Sequence, residues 1–206
     1  MTAIPLARSL AALAVALVSW VLVLGAVLSP APARAADPVV GEDKSSSCRS
    51  CHGANGNSPF EGIPSLAAQP APYIQSQIRL YQNHYRHIPE MTAAVAHLTD
   101  GDIADIAAYF TSQKASPPPA TTDRARFAKG RKLAQGQKCD TCHRANFAGD
   151  NRIARLASQR EDYLLKAMND FKSGTRVGIG DVMPNKLSGA GTPDLEALAY
   201  FLARLP

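Results

Sequence analysis

Cys48-Arg49-Ser50-Cys51-His52 is repeated downstream as Cys139-Asp140-Thr141-Cys142-His143. C-x-x-C-H is the attachment pattern of c-type haem. Two thiols three positions apart can each form a thioether to one porphyrin vinyl group, and the His that follows is held under the iron as an axial ligand. All four cysteines of the chain fall in the two copies. Competing readings are a structural zinc site, a redox dithiol or two short disulfides. Zinc takes four ligands from paired C-x-x-C units, and two such units are present. It explains neither the His after each pair nor the methionines described below. The pattern therefore predicts two covalent haems c per chain, bound by Cys48, Cys51, Cys139 and Cys142, with His52 and His143 on the irons.

The rest of the chain repeats with the motif, as a tandem duplication does. The motifs are offset by 91 positions. At an offset of 90, Leu66-Ala67-x-Gln69 recurs as Leu156-Ala157-x-Gln159, Tyr73 as Tyr163, Tyr81 as Phe171 and Arg86 as Arg176. At 92, Met91 meets Met183, Asp102 meets Asp194 and Ile106 meets Leu198. Between the copies, Ser116-Pro117-Pro118-Pro119 reads as a semi-rigid extended spacer. The expected organisation is a first domain over 36–115, a linker over 116–122 and a second domain over 123–206.

Each copy reads as helices. Tyr73, Ile74, Gln77, Ile78 and Tyr81 form an i, i+4, i+8 stripe. Asp102 to Phe110 carries Ile103, Ile106, Ala107 and Phe110 on one face, after N-cap candidates at Thr99 and Asp100. In the second copy a helix with Thr192 as N-cap and Pro193 at its first position runs to about Arg204. Another, around Arg124 to Ala134, offers Phe127 and Leu133 to the core. No alternating strand pattern occurs, so the expected fold class is all-α.

An iron that only passes electrons takes a second axial ligand. Of four methionines, Met1 leaves with the N-terminal segment and Met168 matches Ile78 as a core residue. Met91 and Met183 match each other, 39 and 40 residues after their histidines. The expected ligand sets are His52 with Met91 and His143 with Met183. His84, His87 and His97 remain; His87 permits a bis-His alternative in the first copy, with no counterpart in the second.

The N-terminus reads as an export signal. Arg8 precedes an apolar run from Leu10 to Leu28, and Ala33-Arg34-Ala35 is an A-x-A cleavage site. Residues 1–35 are therefore expected to be a signal peptide, with Ala36 first in the mature chain. The alternative is an uncleaved membrane anchor, since 19 apolar residues reach across a bilayer. Export suits covalent haem and places the protein in the periplasm.

Charge divides unevenly. Residues 36–116 hold five Lys and Arg against eight Asp and Glu, and residues 117–206 hold fifteen against nine. Such asymmetry orients a molecule toward a charged redox partner; reversing Lys129, Arg131 and Lys132 is expected to slow a salt-dependent encounter. The basic residues are dispersed and lack interleaved aromatics, which excludes a nucleic-acid partner.

Taken together, Cys51-His52-Gly53-Ala54-Asn55-Gly56-Asn57-Ser58, Pro64-Ser65-Leu66-Ala67-x-Gln69, Tyr73-Ile74-x-x-Gln77 and the Leu98 to Tyr109 stretch resemble the di-haem cytochromes c of the cytochrome c4 family, over nearly all of the mature chain. The resemblance implies two tandem cytochrome c-like domains about a pseudo-twofold axis, His/Met ligation at both haems, and electron transfer rather than catalysis. The donor would be a quinol-oxidising complex or a periplasmic dehydrogenase and the acceptor a terminal oxidase, with membrane contact only through partners or a retained anchor. Alternatives are a bound cytochrome subunit of a sulfur-compound dehydrogenase, or a di-haem enzyme such as a peroxidase. The second copy departs from the pattern: Arg144 replaces Gly53, and Ala154 replaces Pro64. In cytochromes c that proline's carbonyl typically receives the ligand histidine's hydrogen bond, so the partner of His143 is left open.

Overall fold

A computed structural model of the chain describes residues 34–178 and 182–206. The expected signal run and its cleavage triplet up to Ala33, and residues 179–181 before Met183, lie outside the described residues. The described residues are helical and contain no strand, only isolated bridges such as Asp150–Ile153. The first copy comprises α1 (Pro38–Lys44), α2 (Ser46–His52), α3 (Ala71–Gln82), α4 (Pro89–Val95) and α5 (Asp100–Ser112). The second comprises α6 (Arg124–Gly136), α7 (Asp140–His143), α8 (Glu161–Lys172), α9 (Val182–Leu187) and α10 (Thr192–Ala203).

Local chemistry accounts for the helix starts. Thr99 and Asp102 form a reciprocal capping box at α5. Asp37 and Asp123 cap α1 and α6 through their carboxylates. At α10 the cap falls one residue earlier than expected, on Gly191, and Pro193 still occupies the first turn. The expected faces are buried: Ile103, Ile106, Ala107 and Phe110 are each at most 1% exposed. Met168 is in the core, with Leu164 beside it on α8.

In each copy a first helix crosses the last one, and a glycine makes the crossing possible. A Cβ on Gly130 of α6 would lie 2.0 Å from the Ala197 carbonyl oxygen and 2.6 Å from the Phe201 Cβ of α10. A Cβ on Gly41 of α1 would lie 2.0 Å from the Asp105 carbonyl oxygen of α5. Around the second crossing, Phe127 and Phe147 both meet Phe201 edge-on, at centroid distances of 5.1 and 5.8 Å. The first crossing buries an acid instead. Asp105 accepts from the Asp37 amide and from Lys44 Nζ, each at 2.8 Å, and Lys44 also reaches Asp102 at 2.6 Å. Burial of a carboxylate is tolerated where such donors satisfy it.

The hydrophobic residues gather in two clusters, one per copy. Residues 36–206 nonetheless form one compact unit. The proline-rich spacer is pinned at both ends. Asn57 donates to the Lys114 carbonyl at 2.9 Å and accepts from the Ser116 amide at 2.7 Å. The Thr122 and Asp123 amides donate to the Tyr200 hydroxyl oxygen at 3.0 and 2.7 Å.

Candidate haem sites

Each C-x-x-C-H motif lies on a short helix that presents its histidine inward. His52 closes α2 and is 6% exposed; its Nδ1 donates to the Pro64 carbonyl at 2.8 Å. His143 closes α7, and its Nδ1 donates to the Ala154 carbonyl at 2.9 Å. The partner left open by the sequence is thus the alanine that stands where the proline was expected. A backbone carbonyl does not depend on the side chain it carries, so the substitution leaves the bond intact. A carbonyl only accepts, which fixes the proton on Nδ1 and leaves Nε2 with its lone pair. Burial holds both imidazoles below their usual pKa, against the opposing pull of the carbonyl bonds, so both are neutral and able to ligate.

The four thiols are unpaired, which removes the disulfide reading. Cys51 and Cys142 are exposed, while Cys48 and Cys139 pack against the first and second hydrophobic clusters. Burial raises the Cys48 thiol, and burial followed by the Asp140 charge raises Cys139. Among the described residues no group of three or more His, Cys, Asp and Glu side chains converges as a metal cage, so the cysteine pairs do not meet over a zinc. Met91 packs on the same cluster as Cys48, and Met183 on the same cluster as Cys139. Each methionine occupies a short helix of its own, α4 or α9. His84, His87 and His97 are all exposed.

Arg144 follows His143 as Gly53 follows His52, and it takes the same backbone conformation, φ 71° and ψ 158° against 86° and 151°. That region is nearly reserved for glycine. Arg144 is kept there with its guanidinium paired to Asp150. Phe147, at φ 54°, replaces Gly56 at φ 77°, and in both the carbonyl accepts from the two amides that open the Leu-Ala motif.

Between the copies lies a cluster that sequence reasoning noted only as repeat landmarks. Arg176 donates to Tyr73 at 3.0 Å and Tyr163 at 3.1 Å, and Arg86 donates to Gln77 at 2.7 Å. Arg86 and Arg176 are 8% and 7% exposed, and Arg176 Nε is buried without a partner. Among the described residues no carboxylate pairs with either. Two buried guanidiniums without an anion are costly to maintain, and a haem carries two carboxylates. The donor set therefore fits the group: paired thiols, neutral imidazoles with Nε2 free, a methionine on each cluster, and buried cations awaiting anions. The recurrence of Arg and Tyr at matching offsets was the available signal, but only tertiary structure shows that they meet.

A family model described as cytochrome c oxidase, cbb3-type, subunit III matches residues 42–110. Cytochrome c4 of Pseudomonas aeruginosa is 34% identical over 198 residues, covering 92% of this chain and 98% of that protein. The crystal structure of reduced recombinant cytochrome c4 from Pseudomonas stutzeri superposes with a TM-score of 0.77 at 33% identity, over 84% of this chain and all of that one. A thiosulfate dehydrogenase electron acceptor of Thiomonas intermedia is 29% identical over 89% of this chain and 88% of its own length. Two motif-bearing copies, all-helical and related by a pseudo-twofold, thus match whole proteins end to end: the chain is a di-haem, c-type electron carrier of the cytochrome c4 family.

Proposed function

We propose that His52 and Met91 ligate the first iron and His143 and Met183 the second, with Cys48, Cys51, Cys139 and Cys142 forming the thioethers. The observation that carries this reading is the pair of imidazoles whose Nδ1 protons are committed to the Pro64 and Ala154 carbonyls, which frees Nε2 in both copies. When bound, each haem supplies a one-electron ferrous/ferric couple. The protein keeps each imidazole in one tautomer and orientation, packs each methionine on an apolar cluster, and offers Arg86 and Arg176 to the haem carboxylates. His/Met ligation raises the potential and suits the oxidising end of a respiratory chain. The carbon monoxide spectrum of the reduced protein tests this. Wild type should bind none, and Met91→Ala and Met183→Ala should each bind one equivalent. Binding by wild type, or none by either variant, overturns the ligand assignment.

The domains are proposed to run 36–115 and 123–206 around the 116–122 linker. Residues 1–35 serve export to the periplasm, where a quinol-oxidising complex or dehydrogenase donates electrons and a terminal oxidase accepts them. Among the described residues no helix is long and apolar enough to cross a membrane. On α6, Lys129 is paired with Asp194 at 2.7 Å, so the charge offered to a partner rests on the exposed Arg131 and Lys132. The likeness to a thiosulfate dehydrogenase electron acceptor favours a second reading, in which electrons come from a sulfur-compound dehydrogenase by encounter or within a bound complex. A dehydrogenase co-purifying with the chain would support the bound form.

A further inference from the structure

The recurrent Leu-Ala-x-Gln motif ends in a glutamine that serves the opposite copy. Gln159 is 5% exposed and grips the backbone of Ser65: its Oε1 accepts from the Ser65 amide at 2.8 Å, and its Nε2 donates to the Ser65 carbonyl at 2.8 Å. Gln69 is 4% exposed and grips Arg155 in the same way, at 3.0 and 2.9 Å. The pseudo-twofold axis exchanges the two grips.

The gripped amides are not arbitrary ones. The Ser65 N–H belongs to the same peptide unit as the Pro64 carbonyl, which accepts from His52 Nδ1. The Arg155 N–H likewise shares a peptide with the Ala154 carbonyl, which accepts from His143 Nδ1. A trans peptide points its N–H and C=O in opposite directions, so each arrangement is a continuous relay from imidazole through peptide to glutamine. Hydrogen-bonded amides polarise one another. Acceptance by Oε1 makes the carbonyl oxygen more negative, which strengthens its pull on the Nδ1 proton. A more strongly held proton makes the imidazole a better donor at Nε2 and favours the more charged metal state.

We infer that Gln159 and Gln69 are positioning residues acting across the molecule: Gln159 lowers the reduction potential of the first haem, and Gln69 that of the second. This rests on the reading of His52 and His143 as iron ligands. Each copy thereby sets the ligand strength of its neighbour's histidine through a buried side chain that touches neither ring.

The test uses the two-haem holoprotein, with 15N-histidine labelling of the reduced form and a redox titration of both haems. In Gln159→Leu the His52 Nδ1–H resonance should move upfield and exchange faster while that of His143 stays in place, and one of the two potentials should rise. Gln69→Leu should do the converse, raising the other potential. Gln159→Glu and Gln69→Glu retain the Oε1 acceptor, so the opposite-copy resonance should remain at or downfield of its wild-type position. They also keep the test open if a Leu variant fails to load haem. In the Leu variants, displacement of the glutamine's own-copy histidine, equal displacement of both, or no displacement overturns the relay; in the Glu variants, an upfield move of the opposite-copy resonance overturns it. Displacement with both potentials unchanged overturns the tuning. The carbon monoxide titration of the methionine variants involves neither glutamine and decides the ligand reading separately.

Discussion

Gly130→Ala is a one-methyl change with a sign opposite to the usual expectation for a helix interior. Helix propensity alone favours alanine by about 1 kcal/mol. In α6, however, the added Cβ would stand 2.0 Å from the Ala197 carbonyl oxygen and 2.6 Å from the Phe201 Cβ. Both obstacles belong to the frame of α10, so neither can swing aside as the end of a long side chain would. Relief requires α6 and α10 to part by roughly an ångström, which forfeits about a quarter to a half of the dispersion energy of each contact across the crossing. Overpacking of this kind costs about 1–3 kcal/mol or more. With the overpacking cost at the upper end of that range, the net loss after the propensity gain should be about 2 kcal/mol, or a fall in Tm of about 4–8 °C at this chain length. Thermal unfolding of the haem-loaded protein by far-ultraviolet circular dichroism measures it. Gly136, at the end of the same helix, has nothing within 4 Å of its built Cβ. Gly136→Ala should therefore leave Tm unchanged or raise it. A Gly130→Ala protein as stable as wild type, or matching Gly136→Ala, would refute the reasoning.

Three further outcomes are expected. The Lys44 ammonium, with Thr99, holds the Asp102 carboxyl well below the usual carboxylate range. Its depressed folded-state pKa contributes stability that is present above about pH 4 and lost as pH falls below it. Asp102→Asn should therefore narrow the gap between Tm measured at neutral pH and in acid. Arg144→Gly should raise the urea midpoint: it relieves a backbone strain of about 1–3 kcal/mol and gives up an exposed ion pair worth at most about 1 kcal/mol. Tyr200→Phe removes the acceptor of the Thr122 and Asp123 amides. A net hydrogen bond of about 1 kcal/mol implies roughly fivefold faster amide exchange at those two residues, read by hydrogen exchange.

Much of this molecule was legible before its structure. The haem motifs, the duplication and the faces of α3, α5, α6 and α10 follow from spacing and periodicity, which are local properties. The crossing helix α1 escaped because seven residues containing Gly41 show no apolar stripe, and Gly41 is there for a backbone 64 positions away. Ala154 raised a doubt that its carbonyl removes, because hydrogen bonding to the main chain is invisible in side-chain identity. Gln69, Gln159 and Arg176 were visible as recurrences, but the backbones that the glutamines grip and the Tyr73 that Arg176 reaches lie in the other copy. Repetition showed where to look, and only the packing of one copy on the other shows what these residues hold.

The spacer pinned by Asn57 at one end and Tyr200 at the other also settles how strong the contact between the copies has to be. A short tether presents each copy to the other at an effective concentration on the order of millimolar. Two separate chains at micromolar concentration would need roughly 4 kcal/mol more interface energy to stay together to the same degree. A handful of polar grips such as those of Gln69, Gln159 and Arg176 is enough here. A single proteolytic cut between Pro117 and Ala120 would turn an intramolecular contact into a dilution-sensitive one, and dilution alone would then part the two haems.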